Sequence, residues 1–393
     1  MQHKRLGISA LGHAVSDGLV NFVPPLWYVV RTIFSLSDSG LGVIMMLFSG
    51  VTNFGQPIFG YLTDRLRWKN VIGLGILLSV VTTCFLGFIG TLWVFVLVLL
   101  LSGIGTALFH PQGGGAAAHA AGHRRAFGMS IFGLGGAIGY ALGALVSPAL
   151  HNLGLSIGMG PLQGFVFVLP VGLASAYVLH VYSERNTVPA PDIQFHLREH
   201  LLPYWRSITP ILGVMVLRAM TVVAFASFYQ VVIGDRGLSV MHQGGTLFAF
   251  VFGGAFGGII GARLSELWGR RFVTIVTMLL SPPVLYAALY VSYWPALVLL
   301  FIGGFILRAA EPINIAQTQD LVPEGISMAS SIGMGLSWGI AGVISPCVGW
   351  VSDATGDLQY ALAWTTLLPF IGAAVGFWLP SGKGEKDTAE TAQ

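Results

Sequence analysis

Charged residues and cysteines are both scarce in this sequence. Only 9% of the 393 residues are charged, whereas soluble domains carry roughly a quarter. The two cysteines, Cys84 and Cys347, lie within apolar segments, which predicts neither a disulfide framework nor a cysteine metal cluster. The net charge of +3 is small and spread over loops, so no nucleic-acid partner is expected. The sequence also contains no nucleophile elbow and no phosphate-binding loop, so we predict that the protein is not an enzyme.

Long hydrophobic runs dominate the sequence instead. Hydrophobic residues make up 54% of the chain, and twelve apolar segments are long enough to cross a bilayer. The predicted fold is therefore an all-α membrane protein with twelve transmembrane helices. These segments, numbered helix 1 to helix 12, lie at roughly 7–34, 40–62, 70–90, 92–119, 125–150, 160–182, 207–233, 240–264, 271–292, 294–319, 325–351 and 358–379.

The twelve helices divide into two sets of six. We predict an N-terminal six-helix bundle at 1–182, a linker at 183–206, a C-terminal six-helix bundle at 207–380 and a disordered tail at 381–393. Polar features recur after about half of the chain, so the bundles are expected to be related by a pseudo-twofold axis around a central cavity. The equivalent positions are His110-Pro111 with Glu311-Pro312, and Asp17 with Arg218.

Basic residues are distributed unevenly between the two sets of loops. One set, which includes both termini and the linker, carries most of the lysines and arginines. The other set carries mainly aspartates, namely Asp38, Asp235, Asp353 and Asp357. Because cytoplasmic loops are enriched in Lys and Arg, both termini and the linker are predicted to lie in the cytoplasm.

Two polar stretches, 60–69 and 262–271, each carry a carboxylate followed by basic residues. A charge run such as the first cannot lie in hydrocarbon, so we predict a loop at a membrane face. A carboxylate at the end of helix 2 can accept hydrogen bonds from the N-terminus of a helix in the other bundle, which predicts a gating role. The predicted gating residues are Gly60, Asp64, Arg65 and Lys69 in the first stretch, and Glu266, Arg270 and Arg271 in the second.

This pattern resembles the major facilitator superfamily. The resemblance covers almost the whole chain and rests on the six-plus-six helices and on the Gly-x-Leu-x-Asp-Arg sequence of the first loop, in which Arg67 replaces the usual glycine. In the second loop, Glu266 stands in for aspartate and Ala262 for glycine.

A narrower resemblance is to the fosmidomycin-resistance-type transporters. It rests on Gly12-His13 with Asp17 in helix 1, on Phe109-His110-Pro111 in helix 4, and on the stretch 319–323. It implies a monomeric protein of the bacterial inner membrane that exports antibiotics and other small molecules in exchange for protons. The proton gradient is then the energy source and no cofactor is expected. Gln112 departs from the pattern, because relatives carry glutamate there, so this chain must couple protons through another group if that glutamate carries them.

Charged side chains in the middle of the membrane cost about 2.5–3.5 kcal/mol each even on an insertion scale, so each needs a function or a partner. The candidates for proton coupling are Asp17, Glu311, His13 and His110. If Asp17 faces Arg218 across the cavity, protonation frees the arginine and an anionic substrate can take the place of the carboxylate. A static lock between the bundles is the alternative, and His110 is equally interpreted as a packing residue.

Two arginines, Arg218 and Arg308, favour an anionic substrate, since guanidinium groups bind carboxylate, phosphate or phosphonate well. Glu311 lies three residues after Arg308 on one helix face and can form a structural pair with it. Neutral hydrogen bonds to substrate are predicted from Asn53, Gln56, Gln112, Asn314 and Gln317, each of which can equally join two helices.

Three other features have mainly structural interpretations. Arg31, near the outer end of helix 1, is expected to extend to the interface. The glycine-rich faces of helices 5 and 11 are predicted to pack at the seam between the bundles. The ten histidines and eleven methionines are scattered, so no metal site is predicted.

The predicted function is a secondary active transporter that moves a small anionic molecule or drug across the inner membrane by alternating access. Proton-coupled efflux is the first interpretation. Proton-symport uptake of a small organic anion is the alternative, and a non-transporting membrane sensor or scaffold is a third.

Overall fold

The computed structural model describes residues 2–66, 70–122, 125–184, 202–322 and 332–380. Within these ranges, twelve helical segments are long and apolar enough to cross a membrane, and they coincide with the twelve predicted helices. They are His3–Ile33, Asp38–Leu62, Val71–Phe88, Leu92–Ala121, Gly128–Ser156, Gln163–Val181, Trp205–Asp235, Val240–Trp268, Arg270–Tyr290, Tyr293–Leu321, Gly333–Thr355 and Leu358–Gly376. The chain is therefore an all-α, multi-pass membrane protein. Most of the predicted linker and the predicted tail lie outside the described residues.

The connections after helices 2 and 8 differ from the predicted loops. Helix 2 continues to Leu66, so Asp64 and Arg65 belong to its last turn, although their side chains and Lys69 lie outside the described residues. A helix can extend beyond the hydrocarbon because its backbone groups stay bonded within it. The connection between helices 8 and 9 is the single residue Gly269, whose φ of +89° favours glycine.

In the part of the chain that the structure describes, helices 1, 10, 11 and 12 are interrupted part-way along their length. Helix 1 consists of His3–Val20, a turn at Pro24–Leu26 and Trp27–Ile33. Helix 10 consists of Tyr293–Arg308 and Glu311–Leu321. Helix 11 consists of Ile332–Leu336, Ser337–Ala341 and Ile344–Thr355, and helix 12 of Leu358–Trp364, Thr365–Leu367 and Leu368–Gly376.

The interruption in helix 10 positions two charges. Arg308 lies in the last turn of the first segment and Glu311 in the first turn of the second. A cation near a helix C-terminus and an anion near an N-terminus are both stabilised by the helix dipole. Pro312 follows at a position where the missing N–H breaks no intrahelical hydrogen bond. Helix 4, by contrast, runs uninterrupted over Leu92–Ala121.

Helices 5 and 11 use their glycines differently. Gly139 of helix 5 lies so close to helix 1 that an added Cβ would overlap a backbone carbonyl, so this glycine face packs within the first half. Helix 11 faces helix 2 of the other half, and a Cβ at Gly339 would lie 2.5 Å from the Phe54 ring. Helix 5 reaches the seam further along, where Ala144 contacts Gly244 of helix 8.

Candidate functional site

In the first half of the chain, Asp17 lies between two histidines. Its Oδ2 atom is 3.3 Å from Nε2 of His13, and its Oδ1 atom is 3.1 Å from Nε2 of His110. The two Nε2 atoms are 3.2 Å apart. We call these three residues the triad. The four-residue spacing of His13 and Asp17 predicted their shared helix face, whereas His110 joins them from helix 4.

Hydrogen bonds at the other ring nitrogens locate the imidazole protons. Nδ1 of His13 is 2.8 Å from the carbonyl oxygen of Phe132, and Nδ1 of His110 is 2.9 Å from that of Thr106. A carbonyl only accepts, so each Nδ1 carries a proton. If both rings were neutral, two Nε2 lone pairs and two carboxylate oxygens of Asp17 would face one another without a donor. The arrangement therefore needs a cation at the triad, and a proton is the simplest.

The triad is closely surrounded but not sealed. The His13 ring stacks on Phe132 with ring centres 4.0 Å apart. A Cβ at Gly136 of helix 5 would lie 2.5 Å from the His13 ring and 2.7 Å from Oδ2 of Asp17. Any side chain at Gly136 would therefore strike the triad, so this glycine does more than pack helices. The Asp17 side chain keeps 20% exposure, which leaves the carboxylate accessible.

A second cluster lies in the other half of the chain. Nε of Arg308 donates to Oε2 of Glu311 at 2.9 Å, which confirms the predicted pair. Nη1 of Arg218 is 3.4 Å from the same oxygen. Both guanidinium groups lie over Trp338, with 5.9 Å and 5.8 Å between the guanidinium carbons and the ring centre. We call Arg218, Arg308 and Glu311 the arginine group, and two arginines with one carboxylate give it a net charge of +1.

Arg218 is fully buried, yet none of its three guanidinium nitrogens makes a hydrogen bond to a described residue. The contact with Glu311 is an ion pair without hydrogen-bond alignment. A buried guanidinium with unused donors is costly. These donors are therefore available to an anionic partner once Glu311 moves.

The hypothesis that Asp17 faces Arg218 across the cavity gains no direct contact from the described residues. Asp17 pairs with histidines of its own half, and Arg218 pairs with Glu311 of the other half. Across the two halves, Asp17 instead interacts electrostatically with Arg308. Tyr140 of helix 5 interacts electrostatically with both Asp17 and Arg308. Tyr140 did not appear among the sequence candidates, although a phenol midway along a glycine-rich helix was a usable signal.

The predicted substrate amides are Asn53, Gln56, Gln112, Asn314 and Gln317. The first two donate to backbone carbonyls one turn earlier in helix 2, at 2.8 and 3.2 Å. Asn314 is fully buried and accepts a hydrogen bond from Thr274 of helix 9 at 3.2 Å. The helix-joining alternative therefore applies to Asn314. Gln317 is also buried, and Gln112 is half-buried on helix 4, two residues after His110.

At the opposite end from the termini, Arg31 connects the two halves. Its Nη1 donates to Oδ1 of Asp38 at 2.7 Å, and its Nη2 donates to Asp235, the last residue of helix 7. The predicted extension of Arg31 to the interface stays a prediction, and the structure adds two ion pairs at this end. Two carboxylates converge on this guanidinium, and its side chain is only 18% exposed.

Asp353 adds a second connection at this end. Its carboxylate accepts hydrogen bonds from the backbone N–H groups of Asp38 and Ser39, both at 3.1 Å. First-turn N–H groups have no partner within their own helix, so helix 11 of the second half caps helix 2 of the first. The hydroxyl of Ser352 also donates to Asp38 at 2.6 Å. We call these residues the polar clamp: Arg31, Asp38, Ser39, Asp235, Ser352 and Asp353.

The predicted gating residues that the structure describes make contacts within their own half. Glu266 pairs with Arg263, Arg270 pairs with Asp320, and Arg271 lies over the Phe377 ring. Gly60 lies against Pro111 of helix 4. The gating role of these residues, and of Asp64, Arg65 and Lys69, stays a prediction. Sequence reasoning missed the polar clamp, which joins the two halves through ion pairs and hydrogen bonds. Aspartates at helix ends were a usable signal for it.

Comparison with known proteins places the chain in a class. The family model of the Major Facilitator Superfamily matches residues 6–240, which is more than half of the sequence. The chain belongs to the major facilitator superfamily, and it is therefore a membrane transporter and not an enzyme.

Individual relatives cover nearly the whole chain. It is 28% identical over 388 residues to the fosmidomycin resistance protein of Escherichia coli strain K12. This alignment covers 96% of this chain and 93% of the relative. It is 24% identical over 384 residues to the uncharacterized MFS-type transporter YfnC of Bacillus subtilis strain 168, covering 95% and 92%.

Solved structures confirm the fold. A bacterial homolog to the human lysosomal transporter Spinster, in an inward-facing and occupied conformation, superposes with a TM-score of 0.74 at 18% identity over 95% of each chain. The nucleoside transporter NupG superposes with a TM-score of 0.73 at 13% identity, over 95% of this chain and 98% of the other. The predicted twelve-helix fold of this superfamily is confirmed.

Proposed function

We propose that this protein moves a small organic anion across the membrane by alternating access, coupled to protons. The observation that carries the proposal is the pairing of two central clusters from opposite halves, one cationic and one proton-binding. The arginine group has surplus positive charge, and the triad interacts with it electrostatically through Asp17 and Arg308. Transporters of this architecture place their substrate and ion sites between the two repeats at the middle of the membrane.

The arginine group favours an anionic ligand for two reasons. One carboxylate serves two guanidinium groups, so the second positive charge is uncompensated within the group. Arg308 keeps 18% side-chain exposure and is the group that an entering anion meets first. Arg218 lies behind Glu311 with unused donors. Guanidinium forks bind carboxylate, phosphate and phosphonate groups with two parallel hydrogen bonds.

Efflux by proton antiport is the direction we propose. The similarity to a protein named for fosmidomycin resistance supports export of a drug-like molecule. A substrate with an anionic group for Arg308 and a hydrogen-bond donor for Asp17 would occupy the oxygens that hold the proton. Substrate and proton then exclude each other from the site, which is the condition for exchange.

Uptake by proton symport is the second candidate, and the charges favour it for a substrate that contacts only the arginines. With Asp17 ionised and both histidines neutral, the triad carries −1 and balances the +1 of the arginine group. Binding of a proton leaves the cavity with a net charge of +1, which attracts an anion. Proton and anion then bind together and cross together.

The polar clamp supports an assignment of conformation. Both termini lie on the cytoplasmic side by the distribution of basic residues, so the clamp closes the outer side of the bacterial inner membrane. We propose that this structure is closed on its outer side. We also propose that the protein is a monomer with bundles at 1–182 and 207–380.

A binding screen tests the substrate class. Purified protein is heated with organic anions, phosphonates or cationic drugs, and the unfolding temperature is compared with that of Arg308→Gln. Arg236→Gln is the matched control, because this arginine contacts Gln359 and carbonyls of its own half. Anions should stabilise the wild type and the control more than Arg308→Gln. Stabilisation by cations alone would overturn the proposed substrate class.

Proton movement in proteoliposomes tests the coupling. Addition of a binding anion outside the vesicles should move protons against the anion in antiport and with it in symport. Asp17→Asn should transport without proton movement or not at all, while it still binds the anion. Full proton-driven transport by Asp17→Asn would remove the triad from the coupling role.

A further inference from the structure

We infer that His13, Asp17 and His110 form a binding site for a divalent transition-metal ion of the zinc type. The inference is independent of the transport proposal, which needs only a proton at the triad. The triad needs a cation because two Nε2 lone pairs and the Asp17 oxygens face one another without a donor. A metal ion can meet this need in place of a proton.

The donor set is the first argument. Two imidazole nitrogens and one carboxylate are ligands that Zn²⁺ and other first-row divalent ions bind in proteins. Three protein ligands with a further position left for water or a ligand is the composition of open zinc sites. The three side chains offer ligand atoms that lie close enough together to share one ion.

The spacing of the ligand atoms is the second argument. Around a tetrahedral Zn²⁺ with bonds of about 2.0–2.1 Å, neighbouring ligand atoms are about 3.3 Å apart. The two Nε2 atoms are 3.2 Å apart, and the distances from Nε2 to the carboxylate oxygens are 3.3 Å for His13 and 3.1 Å for His110. These last two distances run to Oδ2 and Oδ1 respectively, so an ion would bind the carboxylate through both oxygens, or through one oxygen after rotation of the side chain.

The outer shell is the third argument. Metal-binding histidines usually donate their other ring N–H to a carboxylate, a backbone carbonyl or water, which fixes the tautomer. Both histidines of the triad do so, to the carbonyls of Phe132 and Thr106. In the neutral rings, each Nε2 thus keeps a lone pair that can bind an ion. The fold has already selected the tautomer that metal binding needs.

Neighbouring charges set the conditions for binding. Arg308 interacts with Asp17 and opposes a cation, while Glu311 partly neutralises that arginine. Tyr140 is the other titratable group that interacts with Asp17. The ion displaces the proton of the triad, and metal ligands must be deprotonated, so affinity should fall as the pH is lowered. An occupied site also excludes the proton.

Cobalt absorption spectroscopy tests the site. Full-length protein without an affinity tag, in detergent near neutral pH, is titrated with Co²⁺ as the probe. We expect the visible absorption of low-coordinate Co²⁺ with bound nitrogen, and its displacement by Zn²⁺. His13→Gln and His110→Gln should weaken binding by at least the roughly 10–100-fold that loss of an outer-shell partner causes.

Two further variants separate ligation from general damage. His242→Gln is the matched control, because this histidine lies outside the triad and bonds to Ser239 at 2.7 Å; it should bind Co²⁺ like the wild type. Gly136→Ala keeps all three ligands but pushes a methyl group against His13 and Asp17, so it should also weaken binding. Gel filtration establishes that each variant is folded.

The absence of a saturable absorbing site in the wild type would overturn the inference. A Co²⁺ affinity of His13→Gln and His110→Gln equal to that of the wild type would also overturn it. Either result would leave the transport proposal intact, because proton coupling is measured separately in metal-free vesicles. Conversely, a bound Co²⁺ that depends on the triad supports the metal site even if Asp17→Asn proves to be fully coupled.

Discussion

Disruption of the polar clamp should open the side of the transporter that carries Asp38. Asp353→Ala removes the carboxylate that caps the first turn of helix 2 from the other half. Loss of such a cap costs about 0.5–2 kcal/mol. Because the cap exists only while this side is closed, the loss falls on the closed state alone, and the equilibrium should shift several-fold toward the open state.

Arg31→Gln should have a larger effect. It breaks one ion pair with Asp38, whose side chain is 13% exposed, and one with Asp235, whose side chain is 41% exposed. Exposed pairs contribute about 0.2–1 kcal/mol each, so we place the total near the upper end, at about 1.5 kcal/mol, because the first pair is partly buried. Every 1.4 kcal/mol is about tenfold, so the open fraction should rise about tenfold.

Distances between spin labels measure this shift. After Cys84 and Cys347 are replaced by serine, labels at Ile157 and Trp294, both highly exposed, report the separation of the two halves at this end. The longer distance should gain population in Arg31→Gln and Asp353→Ala. Arg236→Gln should behave like the wild type, because its contacts stay within one half. Unchanged distances in both clamp variants would refute the assignment of the clamp as a closing contact.

Other variants test packing and charge. Gly139→Ala should lower stability by about 1–3 kcal/mol through overlap with helix 1. Gly133→Ala, with no neighbour within 4 Å of the added Cβ, should unfold at the wild-type temperature. Equal unfolding temperatures for the two variants would contradict the packing argument. Tyr229→Phe should lose about 1 kcal/mol, because the hydroxyl donates to a carbonyl of helix 9 at 2.6 Å; denaturant unfolding in detergent measures the change. Glu311→Gln should bind a transported anion several-fold more tightly by calorimetry, since the arginine group rises to +2, and weaker binding would contradict the charge argument.

Local spacing was sufficient for the pairs within one helix. His13 with Asp17, and Arg308 with Glu311, follow from the four- and three-residue spacing of a helix face, and both pairs occur. The internal repeat suggested that Asp17 faces Arg218, whereas in this structure each of them pairs with residues of its own half. Equivalent positions in two repeats lie at similar depth in the membrane, but equal depth does not bring two side chains into contact.

Partners between distant helices required the fold. Arg31 meets Asp235 from the other half of the chain, and Asp353 caps a helix more than three hundred residues earlier. No hydrophobic period encodes such contacts, because they depend on how whole helices pack. Gly136 is a similar case, since its lack of a side chain matters only where the triad lies against it.

The sequence alone determined that the chain is a membrane protein with twelve helices and that it has the architecture of a major facilitator transporter, and it predicted which charged residues lie deep in the bilayer. This was accessible because a helix in lipid satisfies its own backbone and must be apolar along its length, so the pattern is local. Only the tertiary structure decided which charges meet, that two histidines from helices 1 and 4 share one carboxylate, and which end the clamp closes. Those outcomes depend on side-chain directions and helix packing across the whole chain, where shifts of a few ångströms change every partner.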